Sequence, residues 1–127
     1  MEATPAKALI DAYIKAYNKL DVPAMLACLH PEVQFEHVAN GIVTMRLNGK
    51  AAFEAQATRA AAWFSERSQR VTAFHWHGSR AEVAIDYCAV TATELPDGTR
   101  PGTALQFAGR SSFSFRNNLI ASIQDVS

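Results

Sequence analysis

One histidine in this chain stands where an imidazole can meet an apolar ligand. In Val33-Gln34-Phe35-Glu36-His37 strand alternation sends Val33, Phe35 and His37 to one face and Gln34 and Glu36 to the other. An imidazole, with an ordinary pKa of about 6.5, takes or gives a proton near neutral pH, so His37 is the first candidate base. The competing reading is a core histidine satisfied by a neighbouring hydroxyl or carbonyl. Such a base needs an orienting partner. Asp125 shares a strand face with Ile123, although most aspartates are simply solvated. Asp86 interrupts the apolar run Val83-Ala84-Ile85 and faces with Cys88, which puts Tyr87 on the opposite side. Both alternating sets are fairly apolar, so whether Asp86 or Tyr87 sees a cavity stays open. His75-Trp76-His77 places two imidazoles on one strand face. With no third ligand at fixed spacing, the pair is assigned to a half-exposed strand or a subunit interface, and no metal is expected.

These side chains need elements to hold them. Thr4-Pro5 is expected to start a helix, with the hydroxyl as cap and proline at the first helical position. This helix runs to about Lys19, with Leu9, Tyr13, Ala16, Tyr17 and Leu20 at helical spacing, so both tyrosines point inward. Asp21-Val22-Pro23 caps a shorter helix over 24–29, which His30-Pro31 ends. Asn40-Gly41 is a turn, after which 42–47 returns as a short strand or ordered loop. A third helix carries Phe53, Ala57, Ala60 and Phe64 on one stripe with Trp63 beside it, and leaves Glu54, Arg59, Glu66 and Arg67 to solvent.

From Arg70 the period changes to two, in segments 71–77, 81–94, 103–116 and 119–126. Gly78-Ser79, Asp97-Gly98 and Asn117-Asn118 sit at the joints, and short connections favour an antiparallel meander. Long antiparallel strands twist, and Gly109 inside the third is expected to form a bulge or bend. No repeat or linker divides the 127 residues, so one domain over 1–127 is expected. The class is α+β, three helices against a bent sheet.

Composition removes several functions. Twelve basic and twelve acidic residues without a like-charge run leave no electrostatic footprint for nucleic acid or anionic lipid. A small, roughly neutral molecule fits better. MEATPAKAL has no basic region followed by a long apolar run, and no stretch suits a membrane span, so a cytoplasmic location is expected. Cys28 and Cys88 lack CxxC spacing and are expected to be free thiols. Phosphate loops, nucleophile elbows and dinucleotide fingerprints are absent, so no cofactor is expected.

The order helix, short helix before proline, strand, Leu-Asn-Gly-Lys-Ala-Ala-Phe helix and four strands closing on Ile-Ala-Ser-Ile-Gln-Asp resembles the SnoaL-like, or nuclear transport factor 2-like, superfamily over nearly the whole chain. That resemblance implies a cone-shaped roll of three helices on a strongly curved antiparallel sheet, a cystatin-like α+β barrel. The superfamily includes ketosteroid isomerase, polyketide cyclases, limonene epoxide hydrolase, dehydratases and non-catalytic members, so the fold alone does not select a chemistry. Residues 13–21 resemble the first helix of ketosteroid isomerase, which implies an oxyanion-stabilising role for Tyr13. The same register puts the isomerase's general-base aspartate on His37 and its second oxyanion donor near Ser111, and it implies that the strand of Asp125 lines the pocket. An epoxide hydrolase-like site wants arginine two residues before Asp86, where Ala84 stands.

The resulting expectation is an apolar pocket with His37, Tyr13 and Asp125 as catalytic groups and Tyr17, Phe35, Trp63, Tyr87, Phe107 and Ser111 as its substrate-binding wall. The chemistry expected is cofactor-independent acid/base work on a small hydrophobic carbonyl compound by a steroid-isomerase-like or polyketide-cyclase-like isomerase, cyclase or dehydratase. The alternative is a non-catalytic ligand-binding or dimerisation module. The resemblance also implies a homodimer paired through the sheet's outer face.

Overall fold

A computed structural model describes all 127 residues. Three helices, α1 (Ala3–Asn18), α2 (Val22–Ala27) and α3 (Lys50–Ala61), pack on six strands: β1 (Leu29–Ala39), β2 (Ile42–Asn48), β3 (Phe64–Trp76), β4 (Arg80–Thr91), β5 (Ala104–Arg116) and β6 (Leu119–Val126). The order across the sheet is β2-β1-β6-β5-β4-β3. The expected α+β architecture is present, and β3 to β6 form the expected antiparallel meander. The sheet itself is mixed and unclosed, because β1 runs parallel to β6. The α3 crossover and the meander bring β6 back beside β1 in that direction, and β2 and β3 remain as edges.

Turn chemistry closes the hairpins. Asn40 and Gly41 both have positive φ, at 54° and 76°, as do Asn117 and Asn118, at 54° and 62°. These are the paired left-handed residues that a tight hairpin requires. Asp21 caps α2 by accepting from the Ala24 N–H at 3.1 Å. The α1 start differs from expectation: Glu2 occupies the cap position without a side-chain bond, so Thr4 is not the cap. Pro5 is tolerated inside the first turn, where its missing N–H has no helical partner anyway. The second helix ends earlier than expected, and His30 is a buried strand residue rather than a helix terminus. Its Nδ1 accepts the Glu32 N–H at 3.0 Å, and the Arg116 guanidinium lies beside the ring, its Nε 3.2 Å from Nε2.

The core lies between α1, α2, α3 and the inner sheet face. Ile10, Leu29, Val33, Val83, Ile120 and Ile123 are at most 2 % exposed, each contributing about 1.5–3 kcal/mol by leaving water. At the β3 edge the Asn18 amide stands in for a missing strand. It accepts from the Gln69 N–H at 2.7 Å and donates to the Gln69 carbonyl at 3.0 Å, which satisfies an otherwise open edge.

Gly109 does not form the expected bulge. Its pairing with Ile85 is continuous with its neighbours and its φ is not positive. A methyl group built on it would lie 2.9 Å from the Val126 carbonyl oxygen, so glycine is there for close backbone approach. The register breaks instead between Leu29 and Gln34, His37 and Val38, Phe64 and Glu66, Val71 and Ala73, and Ser114 and Phe115.

Candidate functional site

The break at His37 shapes the site. His37 pairs with Met45 and Val38 with Val43, so Thr44 is the extra residue of a β2 bulge. Bulges re-aim side chains and are common beside active sites. Here the bulge delivers the Thr44 hydroxyl to the imidazole: Oγ1 lies 2.7 Å from His37 Nδ1 and donates to the His37 carbonyl at 3.3 Å. With the hydroxyl's single hydrogen on the carbonyl, Oγ1 accepts from Nδ1–H, and in that tautomer the lone pair is on Nε2. Ser127 Oγ is 3.4 Å from that nitrogen.

Inward alternation puts His37 on a cavity of about 740 Å³ between the helices and the sheet, 13 of whose 20 lining residues are hydrophobic. That lining suits an apolar molecule with few polar anchors. The structure brings His37, Tyr13, Asp125, Tyr17, Phe35, Trp63 and Tyr87 together on this wall. Phe107 and Ser111 do not line it. They border an adjoining cavity of about 170 Å³, which shares Tyr17, His37, Tyr87 and Asp125 with the larger one. Phe107, the cross-strand partner of Tyr87, stacks on its ring with centroids 4.6 Å apart and remains 49 % exposed.

Asp125 stands opposite His37 in the parallel β1–β6 register. Contrary to the expected pairing, its carboxylate does not hydrogen-bond the imidazole. Oδ1 accepts from the Ser111 hydroxyl at 2.6 Å, since Ser111 is its cross-strand neighbour on β5. Burial pushes the Asp125 carboxyl above its usual range, opposed by the Ser111 bond and by attraction to His37. The carboxylate thus feels the histidine's charge, while the ring is held by Thr44, a residue that no apolar–polar pattern singles out.

Tyr13 is 5 % exposed and packs against Phe53 and Phe113. Burial raises its phenol well above the ordinary value, and Asp125 pushes in the same direction, so it stays a proton donor. No protein group hydrogen-bonds its hydroxyl, and no fully buried side-chain polar atom lacks a partner. The hydroxyl therefore opens on the cavity. Tyr17 donates to the Tyr87 hydroxyl at 3.4 Å, and burial, then Tyr17, raise the Tyr87 phenol strongly.

The choice between Asp86 and Tyr87 is resolved by the strand's parity. Tyr87 faces the cavity, while Asp86 points outward in an exposed ion pair with Arg70 at 2.9 Å. His75 and His77 are exposed, the latter 3.8 Å from Glu82. Arg67, expected in solvent, is 5 % exposed and lines the cavity. The helix ends at Ala61 and β3 begins at Phe64, so the helical stripe does not extend to this residue.

A search of solved structures gives matches across the whole fold. A candidate polyketide cyclase from Xanthomonas campestris pv. campestris is 26 % identical, with 98 % of this chain and 90 % of that one covered at a TM-score of 0.79. A candidate polyketide cyclase from Pseudomonas putida is 24 % identical, with 92 % and 86 % covered at 0.72. A limonene epoxide hydrolase-like epoxide hydrolase from Mycobacterium tuberculosis is 15 % identical, with 97 % and 82 % covered at 0.77, a likeness of fold alone. Comparison with curated proteins returns no match. The SnoaL-like domain family matches residues 10–123, nearly the whole of the sheet and helices that build the cavity, and the chain belongs to that family.

Proposed function

We propose that the protein carries out cofactor-independent acid/base chemistry on a small hydrophobic carbonyl compound. The observation that carries this reading is the placement of an imidazole held through Nδ1 and a free phenol on one apolar cavity. His37 Nε2 takes the proton from the carbon next to the carbonyl. The C–H electron pair forms the new carbon–carbon double bond and the carbonyl π pair moves to oxygen, where Tyr13 donates a hydrogen bond to the developing enolate. Asp125 favours the imidazolium that forms, because the two groups attract. Return of the proton to another carbon is isomerisation; departure of a β-hydroxyl as water, taking the proton from the His37 imidazolium, is dehydration; and attack of the enolate carbon on a second carbonyl, whose alkoxide takes that proton, is cyclisation. The similarity to candidate polyketide cyclases supports the last of these.

A thermal-shift screen with aromatic and steroid-like ketones tests the binding step, since a ligand that prefers the folded state raises the melting temperature. A bound ketone should then perturb the His37 and Tyr13 NMR resonances together. Binding that disturbs neither would favour the non-catalytic ligand-binding reading.

We further propose that the protein is a homodimer paired through the outer sheet face, where Ala84, Cys88, Val90 and Ala108 break the polar surface of β4 and β5. Sedimentation at micromolar concentration should give twice the chain mass; a monomer throughout would refute the pairing.

A further inference from the structure

Arg67 is a buried cation without a counter-ion. Its Nε donates to the Tyr17 carbonyl at 2.9 Å, an Nη2 hydrogen reaches Met25 Sδ at 3.8 Å, and the guanidinium lies 3.6 Å from the centre of the Tyr17 ring. No carboxylate is within ion-pair distance of it. A guanidinium has five N–H donors, and these contacts use two. Both Nη1 hydrogens and one of Nη2 have no protein acceptor. Since no fully buried side-chain nitrogen is left unpaired, that end of the group reaches open space, and Arg67 lines the main cavity. The guanidinium also lowers the phenol pKa values of Tyr13 and Tyr87, so its charge is felt at both cavity hydroxyls.

The α1 carbonyl offsets part of the charge, since a cation near a helix C-terminus is favourable. It does not use the free Nη edge, whose planar fork matches a carboxylate. We infer that the natural ligand is a hydrophobic acid whose carboxylate docks on the free Nη edge of Arg67 while its apolar body lies among Phe35, Trp63 and Tyr87. This rests on the cavity taking a small apolar carbonyl compound, and it narrows that compound to one bearing an acid group. Arg67 is then a specificity residue.

Isothermal titration with 2-naphthoate and with methyl 2-naphthyl ketone, two ligands sharing one ring system, tests the inference. The wild-type protein should bind the acid at least about tenfold tighter, the scale of one charge-assisted pair. Arg67→Gln should lose that preference while still binding the ketone, and Arg67→Lys should keep part of it. If Arg67→Gln fails to fold, the wild-type preference and the Arg67→Lys titration decide. Equal affinity for the two ligands, or tighter binding of the ketone, overturns the carboxylate assignment and leaves the ketone-binding cavity standing. Binding of neither overturns both.

Discussion

His37 and Asp125 lie side by side across the parallel β1–β6 pair, yet each bonds elsewhere: the imidazole Nδ1 pairs with the Thr44 hydroxyl at 2.7 Å, and the carboxylate accepts from Ser111 at 2.6 Å. The two side chains are therefore positioned by different neighbours, His37 by Thr44 on β2 and Asp125 by Ser111 on β5.

Thr44→Val keeps the shape of the bulge residue and removes the hydroxyl. The bond is exposed, so stability should change by no more than about 1 kcal/mol. Turnover should fall roughly 10-fold to 100-fold with KM nearly unchanged, because the ring loses its fixed tautomer and not its contacts with ligand. Steady-state kinetics on a ketone found by the binding screen reads this split. A rise in KM alone would remove Thr44 from the base.

Asp125→Asn should flatten the dependence of stability on pH. An acid whose pKa is raised by folding binds more protons in the folded state. Its contribution is full below the ordinary value of 3.8 and is lost as pH rises through the raised value. The asparagine keeps an acceptor for Ser111 and never carries the buried charge. Its melting temperature should exceed that of the wild type by a few degrees at neutral pH, roughly 1 kcal/mol in a domain of this size, and the gap should close toward pH 4. A lower melting temperature at neutral pH would show that the ionised carboxylate is stabilising.

Gly109→Ala should destabilise the fold by roughly 1–3 kcal/mol through overpacking, because the added methyl meets the Val126 carbonyl oxygen at 2.9 Å and a backbone atom cannot rotate away. Thermal denaturation measures it. An unchanged melting temperature would mean that β5 and β6 separate freely at that point.

Much of this was legible in the sequence, and the misses have physical causes. Alternation alone turned His37 inward, and period two found β4, β5 and β6 within a few residues. Arg67 escaped because the stripe Phe53, Ala57, Ala60, Phe64 fits a helix that in fact stops at Ala61. The change of period falls between Ala61 and Phe64, and the arginine's parity depends on it. Thr44 escaped because a bulge adds one residue to a strand without leaving a mark in an apolar–polar pattern. Asp86 and Tyr87 could not be ordered because β4 has small or apolar residues on both faces, and only its packing against α1 selects one. Gly109 was singled out correctly, but the absence of a side chain serves close approach of the β6 backbone instead of a positive φ.

Tyr13→Phe separates catalysis from packing. The hydroxyl has no hydrogen bond within the protein, so its loss should leave the melting temperature within about 0.5 kcal/mol of wild type. Loss of an oxyanion donor should lower turnover on the order of 100-fold to 1,000-fold. An unaltered rate would take Tyr13 out of the reaction and leave it as a core aromatic.

The most direct measurement is exchange of the α-protons of a cavity-bound ketone in deuterated buffer, followed by NMR, because it reads proton removal without requiring the natural substrate. The wild-type protein should exchange those protons faster than buffer does, and His37→Gln should slow the exchange by at least about 100-fold while still binding the ketone. A ketone that binds the wild-type cavity and keeps its protons at the buffer rate would contradict the acid/base account.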